Sequence, residues 1–136
     1  MKRTMTAIVC LALAGTAALP AESMGTAQWD GVWQGELDGV PSVTLTVAHD
    51  TGQLSGTLVL NLIKKENGGP VRIAAVESHA LVSPRVETNT LDFAVRKHGS
   101  GDLMKFTVSM AADGTARIHC TSCGESAPVV EIAKQR

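Results

Sequence analysis

The stretch SVTLTVAHDTGQLSGTLVLNL, residues 42–62, alternates between apolar and polar side chains on both sides of a short turn. Apolar residues occupy every second position of 43–47 and again of 58–62. Successive side chains of a strand point to opposite faces, so this period of two predicts two antiparallel strands with one buried face. Gly56 interrupts the inward face of the second strand, which predicts a bend or a close backbone approach there.

The same alternation returns along the chain and predicts about eight strands. The predicted strands are 29–37, 42–49, 53–63, 71–78, 91–97, 103–111, 115–121 and 129–133. Asp38-Gly39 and Asp113-Gly114 are typical of hairpin turns, because glycine accepts positive φ. The apolar spacing of 71–90 fits both a strand and a short helix, and Pro84 breaks either one. We favour a strand at its start, an irregular return and room for one short extra strand.

These turns, about 8–12 residues apart, predict an all-β fold. We expect a single antiparallel up-and-down barrel, with a β-sandwich as the alternative. The barrel is favoured because closure leaves no exposed edge strand on which chains would aggregate.

The first 21 residues have the features of a signal peptide. A positive start, Lys2-Arg3, precedes an apolar run at 7–18 that is shorter than the roughly 20 residues needed to span a bilayer. Small residues lead to a predicted cleavage after Ala21, with an uncleaved anchor as the alternative. We therefore expect a secreted or periplasmic protein with no membrane span after cleavage, a short linker at 22–28 and one barrel domain at 29–134.

Charge and aromatic content exclude two classes of partner. Loss of Lys2 and Arg3 leaves 10 basic against 13 acidic residues, a net charge of −3 without a clustered basic face. Nucleic-acid-binding domains carry such a face, so no nucleic-acid partner is expected. The chain has two Trp, two Phe and no Tyr, which disfavours a carbohydrate-binding platform of exposed rings.

The motif Cys120-Thr121-Ser122-Cys123 predicts a disulfide across the turn before the last strand, since export compartments are oxidising. A thioredoxin-like redox pair is the alternative, but it needs a helix N-terminus to stabilise the thiolate, and a predicted strand precedes this motif. Metal binding with His119 is a further alternative, for which a fourth ligand is not evident.

No combination of residue types predicts catalysis. Glu77-Ser78-His79 contains the residue types of a hydrolase triad, but consecutive residues of a strand cannot converge on one proton path. His98 stands at a strand end before Gly99, with no partner evident in the sequence. The chain is therefore predicted to be non-enzymatic and to need no cofactor or metal.

Gly31-Val32-Trp33 resembles the Gly-x-Trp opening of lipocalin-like, or calycin, barrels. In those barrels a basic residue of the last strand often lies over the Trp, and the resemblance gives that role to Lys134 or Arg136. The series at 33–37, 43–47, 52–57 and 90–95 extends the likeness to small secreted bacterial lipocalin-like domains. Such domains generally have no assigned activity, so the resemblance implies architecture more than function.

We expect an exported binding module whose barrel holds a small apolar ligand. The alternative is an envelope accessory domain with a filled core, which binds a protein partner through loops 64–70 and 82–90. An interior cavity above about 300 Å³ would favour the ligand, and a filled interior would favour the partner. The residues predicted to line the ligand site are Trp33, Leu45, Leu58, Phe93, Phe106 and Met110.

Overall fold

A computed structural model describes residues 28–136 as nine β-strands with no helix. The predicted signal peptide and residues 22–27 of the predicted linker lie outside the described residues. The strands are β1 (Gly31–Leu37), β2 (Val40–Asp50), β3 (Gln53–Lys65), β4 (Val71–Ala80), β5 (Val82–Glu87), β6 (Thr90–Arg96), β7 (Leu103–Met110), β8 (Ala116–Cys120) and β9 (Val129–Lys134). Within this part of the chain, no helix is long and apolar enough to cross a membrane.

All nine strands belong to one antiparallel sheet in the order β4-β3-β2-β1-β9-β8-β7-β6-β5. Each strand pairs with its neighbour in sequence, except that β4 and β5 do not pair with each other, and the last strand returns to pair with the first. This single sheet curls into a half-barrel, which confirms the predicted all-β antiparallel barrel class over the sandwich, although β4 and β5 remain as edge strands that closure was expected to remove. β4 and β5 form the two edges of this sheet and follow each other in the chain, so Leu81 carries the chain across the seam.

The additional strand, relative to the eight predicted, comes from the ambiguous stretch. β5 pairs with β6, and its register passes from Val82 opposite Ala94 to Arg85 opposite Asp92. Ser83 and Pro84 form the resulting bulge, and Ser83 has a φ of 49°. Proline is tolerated here because an edge strand at a bulge does not need every backbone N–H in the ladder.

One end of the barrel is closed by two tryptophans. The indole N–H of Trp33 donates to the carbonyl of Trp29 at 2.9 Å, and the two ring centroids lie 5.6 Å apart. Lys134, at the end of β9, places its Nζ 5.5 Å from the centroid of the Trp33 ring. The side chains packed around this end and the barrel's middle are the largest fully buried ones: Trp29, Trp33, Leu45, Leu58, Leu91, Ile132, Val95 and Val108.

Candidate functional site

An apolar recess of about 350 Å³ lies at the barrel end opposite the tryptophans. Up-and-down topology brings the ends of β1, β3 and β8 to the same side as the starts of β2, β7 and β9, and side chains from all of these strands border the recess. The lining residues are Leu37, Ser42, Val43, Leu60, Asn61, Leu62, Met104, Phe106, Ile118, Cys120, Cys123, Ser126, Ala127, Pro128 and Val130. We refer to this cavity as the mouth recess.

Among the described residues 28–136, no charged side chain lines the mouth recess. Two of its polar groups already donate to backbone carbonyls: Ser42 Oγ to Gly35 at 3.4 Å and Asn61 Nδ2 to Pro41 at 2.8 Å. A charged group placed here would lose its hydration without gaining an ionic partner, which is costly. The recess is therefore suited chemically to an uncharged, mainly apolar group.

One wall of the mouth recess is fixed by the Cys120–Cys123 disulfide, whose Cα atoms lie 5.5 Å apart. This confirms the disulfide predicted from the sequence. The turn that it spans is also hydrogen-bonded to β7, because Thr121 donates its amide to the Lys105 carbonyl at 2.8 Å. The Lys105 amide donates in turn to Ser122 Oγ at 2.9 Å. The wall is therefore anchored both covalently and through the neighbouring strand.

Of the six residues predicted to line a ligand site, Phe106 borders the mouth recess. Trp33, Leu45 and Leu58 are at most 1% exposed and belong to the packed core. Phe93 stacks on Phe106, its cross-strand neighbour, with ring centroids 5.5 Å apart. Met110, the sixth, is half-buried at the end of β7, on the side of the barrel away from the recess.

Several residues that line the recess were not predicted from the sequence, among them Ala127 and Pro128. Alternation identifies the inward face of a strand, but it does not say which inward residues lie at the open end. The predicted strand order nevertheless indicates which residues lie together at one end of the barrel. In an up-and-down barrel, the last inward residues of one strand and the first of the next strand share an end.

A pair of histidines lies at the seam of the barrel. His79 is 5% exposed, and its Nδ1 is 2.9 Å from the carbonyl oxygen of Arg96 on β6. Its Nε2 is 3.3 Å from a carboxylate oxygen of Glu77. His98 stacks on the His79 ring with centroids 4.6 Å apart. This stack was not predicted, because the end of β4 and the turn after β6 are separated along the chain and only the folded sheet brings them together.

The hydrolase-like trio does not converge. Glu77 and His79 lie on one face of β4 and contact each other, whereas Ser78 is exposed between them. A histidine–aspartate pair lies closer to the tryptophan end, where His49 Nδ1 contacts a carboxylate oxygen of Asp30. Among residues 28–136, no group of three or more His, Cys, Asp or Glu side chains is arranged to hold a metal ion.

No protein-family model matches this chain, and no curated protein or solved structure matches it either. The likeness to lipocalin-like domains therefore stays a prediction. One local feature that it implied is present, since Lys134 does lie over Trp33.

Proposed function

We propose that this protein is an exported, non-enzymatic binding module that holds a small, uncharged apolar molecule in the mouth recess. The observation that carries the proposal is the recess itself, a cavity of about 350 Å³ whose lining among residues 28–136 is mainly apolar, with a few neutral polar groups and no charged side chain. Ligand pockets of proteins fall in the range of about 300–1,000 Å³ and are lined in this way.

The neighbouring core supports such a role, because it makes the recess rigid. The strands that form its walls are paired continuously from β3 through β2, β1, β9 and β8 to β7. Phe106 is held by its stacking on Phe93, and the disulfide holds the adjacent part of the same wall, since Cys120 pairs with Phe106 between β8 and β7. A preformed apolar cavity binds with little loss of conformational entropy, so modest contact area suffices for affinity.

The test is a fluorescence titration with N-phenyl-1-naphthylamine, an uncharged apolar probe. Ala127 lines the recess, and Ala127→Phe places a ring inside it. Ala112→Phe is the matched control, since Ala112 is exposed in the turn between β7 and β8. We expect saturable binding that Ala127→Phe weakens by about tenfold or more and Ala112→Phe leaves unchanged. Equal effects of both variants, or no saturable binding, would contradict the proposal.

A second experiment looks for the ligand that the protein carries in its own host. The protein is purified from its own host and examined by mass spectrometry under non-denaturing conditions for a co-purifying small molecule. We expect a bound neutral species that organic solvent releases. A charged species as the retained ligand would contradict the assignment to the uncharged recess.

A second candidate function, protein interaction, is favoured by one observation. Residues 61–65 of β3 extend past the last pairing with β2 and pair with β4 alone, so that 61–76 form a projecting two-stranded arm. Ile73 is 42% and Val76 63% exposed on this arm. Exposed apolar side chains on an edge strand are typical of binding surfaces.

Crosslinking in the host with a matched pair of variants distinguishes the two functions. Val76→Lys changes the arm, and Val129→Lys changes an equally exposed valine on β9, 55% exposed. If the arm binds a partner, Val76→Lys abolishes the crosslinked product and Val129→Lys retains it. Unchanged crosslinking in both variants would contradict the interaction function.

A further inference from the structure

A second cavity, of about 550 Å³, opens at the seam of the barrel beside the two histidines. It lies between the end of β4 and the turn that follows β6. Its lining residues are Ser78, His79, Ala80, Val82, Arg96, Lys97, His98, Gly99, Ser100 and Gly101. We call it the seam pocket.

The permanently charged side chains that line the seam pocket are both positive. Arg96 and Lys97 contribute two permanent positive charges, and no carboxylate of the described part of the chain belongs to the lining. Neither side chain forms an ion pair with another residue of 28–136. Two acidic residues stand nearby: Glu77, which contacts His79, and Asp102, whose backbone closes the turn by accepting the Lys97 amide at 2.8 Å.

The histidines add positive charge that depends on pH. A carbonyl oxygen only accepts hydrogen bonds, so the contact with Arg96 requires a proton on Nδ1 of His79. A second proton, on Nε2, would be donated to Glu77. His98 is exposed, stacks on this ring and has no carboxylate partner among the described residues. Protonation of both rings places like charges 4.6 Å apart, which is unfavourable unless an anion compensates for it.

We infer that the seam pocket is an anion-binding site for a phosphate- or sulfate-type group, and that it binds more tightly as the histidines become protonated. Arg96 supplies a guanidinium fork of the kind that matches the oxygens of tetrahedral oxyanions, and Lys97 adds a point charge. The hydroxyls of Ser78 and Ser100 add neutral donors at the rim. The inference is independent of the mouth recess, since the two cavities share no lining residue.

Sulfate is the probe for the test, because it remains a dianion between about pH 5 and 8, where histidines titrate. Sulfate is titrated into the full chain at constant ionic strength maintained with chloride, and the histidine ring signals are followed by NMR. We expect saturable shifts of the His79 and His98 signals, with His49 and His119 unaffected. The affinity should rise by about three- to tenfold when the pH is lowered.

Three variants make the assignment specific. Arg96→Gln should weaken sulfate binding by about three- to tenfold, while Arg117→Gln, at an exposed arginine on β8, leaves it unchanged. His98→Gln should retain binding but remove most of its dependence on pH. Shifts that follow total ionic strength, or equal losses in both arginine variants, would overturn the site. A pH dependence unchanged in His98→Gln would overturn the role of the histidines.

The source of the anionic group is decided by two further titrations. The first titration uses inorganic phosphate. The second uses vesicles of phosphatidylcholine with added phosphatidic acid, and vesicles of phosphatidylcholine alone are its control. A free phosphate compound as ligand predicts saturation with inorganic phosphate and no binding to either vesicle. A lipid headgroup predicts binding to the acidic vesicles that Arg96→Gln weakens. Binding of neither anion would overturn the inference.

Discussion

The amide of Leu81 donates a hydrogen bond to the carbonyl oxygen of Gly56, with 3.0 Å between nitrogen and oxygen. Leu81 links β4 to β5. At this point the chain stops pairing with β3 and begins to pair with β6. A side chain at position 56 would have no room, because a Cβ there would clash with the backbone oxygen of Thr46 and approach Leu81 to 3.1 Å. The close backbone approach predicted at Gly56 is thus confirmed, and it occurs where the barrel closes.

Gly56→Ala should therefore destabilise the barrel. Overpacking in a well-packed region costs about 1–3 kcal/mol, and here the obstacle is backbone that cannot move aside. Gly69→Ala is the control, since its Cβ would come no closer than 3.5 Å to any neighbour. We expect the control to change the free energy of unfolding by less than about 0.5 kcal/mol in urea denaturation. Equal losses in the free energy of unfolding of the two variants would show that the backbone around position 56 is not tightly packed.

The contact between Lys134 and Trp33 contributes to stability at the closed end. The ammonium lies over the indole and also donates to the Gln28 carbonyl at 3.2 Å. Lys134→Met preserves most of the aliphatic stem and removes the charge, so its effect reports the electrostatic part of the contact. We expect a loss of about 0.5–2 kcal/mol in urea denaturation followed by tryptophan fluorescence. Lys65→Met, at an exposed lysine of the arm, should cost little, and a similar cost there would refute the assignment.

Reduction of the Cys120–Cys123 disulfide should affect the mouth recess more than the fold. The chain-entropy model assigns a loop this short about 2 kcal/mol of stability. The sulfurs also border the recess, so a free loop loosens one wall. We expect N-phenyl-1-naphthylamine affinity to fall on reduction while the circular dichroism of the sheet persists. An intact mass already equal to that of the free thiols, measured without reductant, would contradict the disulfide.

The alternation of apolar and polar residues predicted most strands well. Side chains of a strand point alternately to two faces, so a strand with one buried face shows an apolar residue at every second position. The alternation was least informative for β4, because residues 72–76 are all exposed and no buried face requires apolar residues at every second position. The two cavities were harder still. The mouth recess depends on which strand ends meet, and the seam pocket depends on residues of β4 and β6 that the curl of the sheet brings together. Neither relationship is local in the sequence.

His79 provides a polar link across the seam, and its loss should weaken closure. His79→Phe preserves a buried ring but leaves the Arg96 carbonyl without its donor. Because this contact is only part-buried, we expect its loss to cost about 1 kcal/mol. Hydrogen exchange of the β5 and β6 amides should accelerate, whereas that of β1 and β9 should change little. His119→Phe, at a half-buried histidine of β8, is the control, and equal acceleration in both variants would contradict the link.

The turn between β7 and β8 should respond to acid through Asp113. The Thr115 hydroxyl donates to its carboxylate at 2.6 Å and the Thr115 amide at 3.1 Å, and these bonds hold the pKa of Asp113 below its ordinary value of 3.8. A carboxyl whose pKa is lower in the folded state stabilises that state above pH 3.8, and the contribution disappears as the pH falls through the folded pKa. Asp113→Asn removes this charge while retaining a side-chain oxygen.

The variant should therefore be less stable than the unmodified chain at neutral pH, and the difference should vanish in strong acid. Urea denaturation of both proteins across the acidic range measures it. Asp50→Asn is the matched control, because Asp50 is the exposed last residue of β2 and its carboxylate accepts no hydrogen bond from another side chain of residues 28–136. A stability difference for Asp113→Asn that stays constant with pH would mean that the carboxylate charge is not what the two Thr115 donors stabilise.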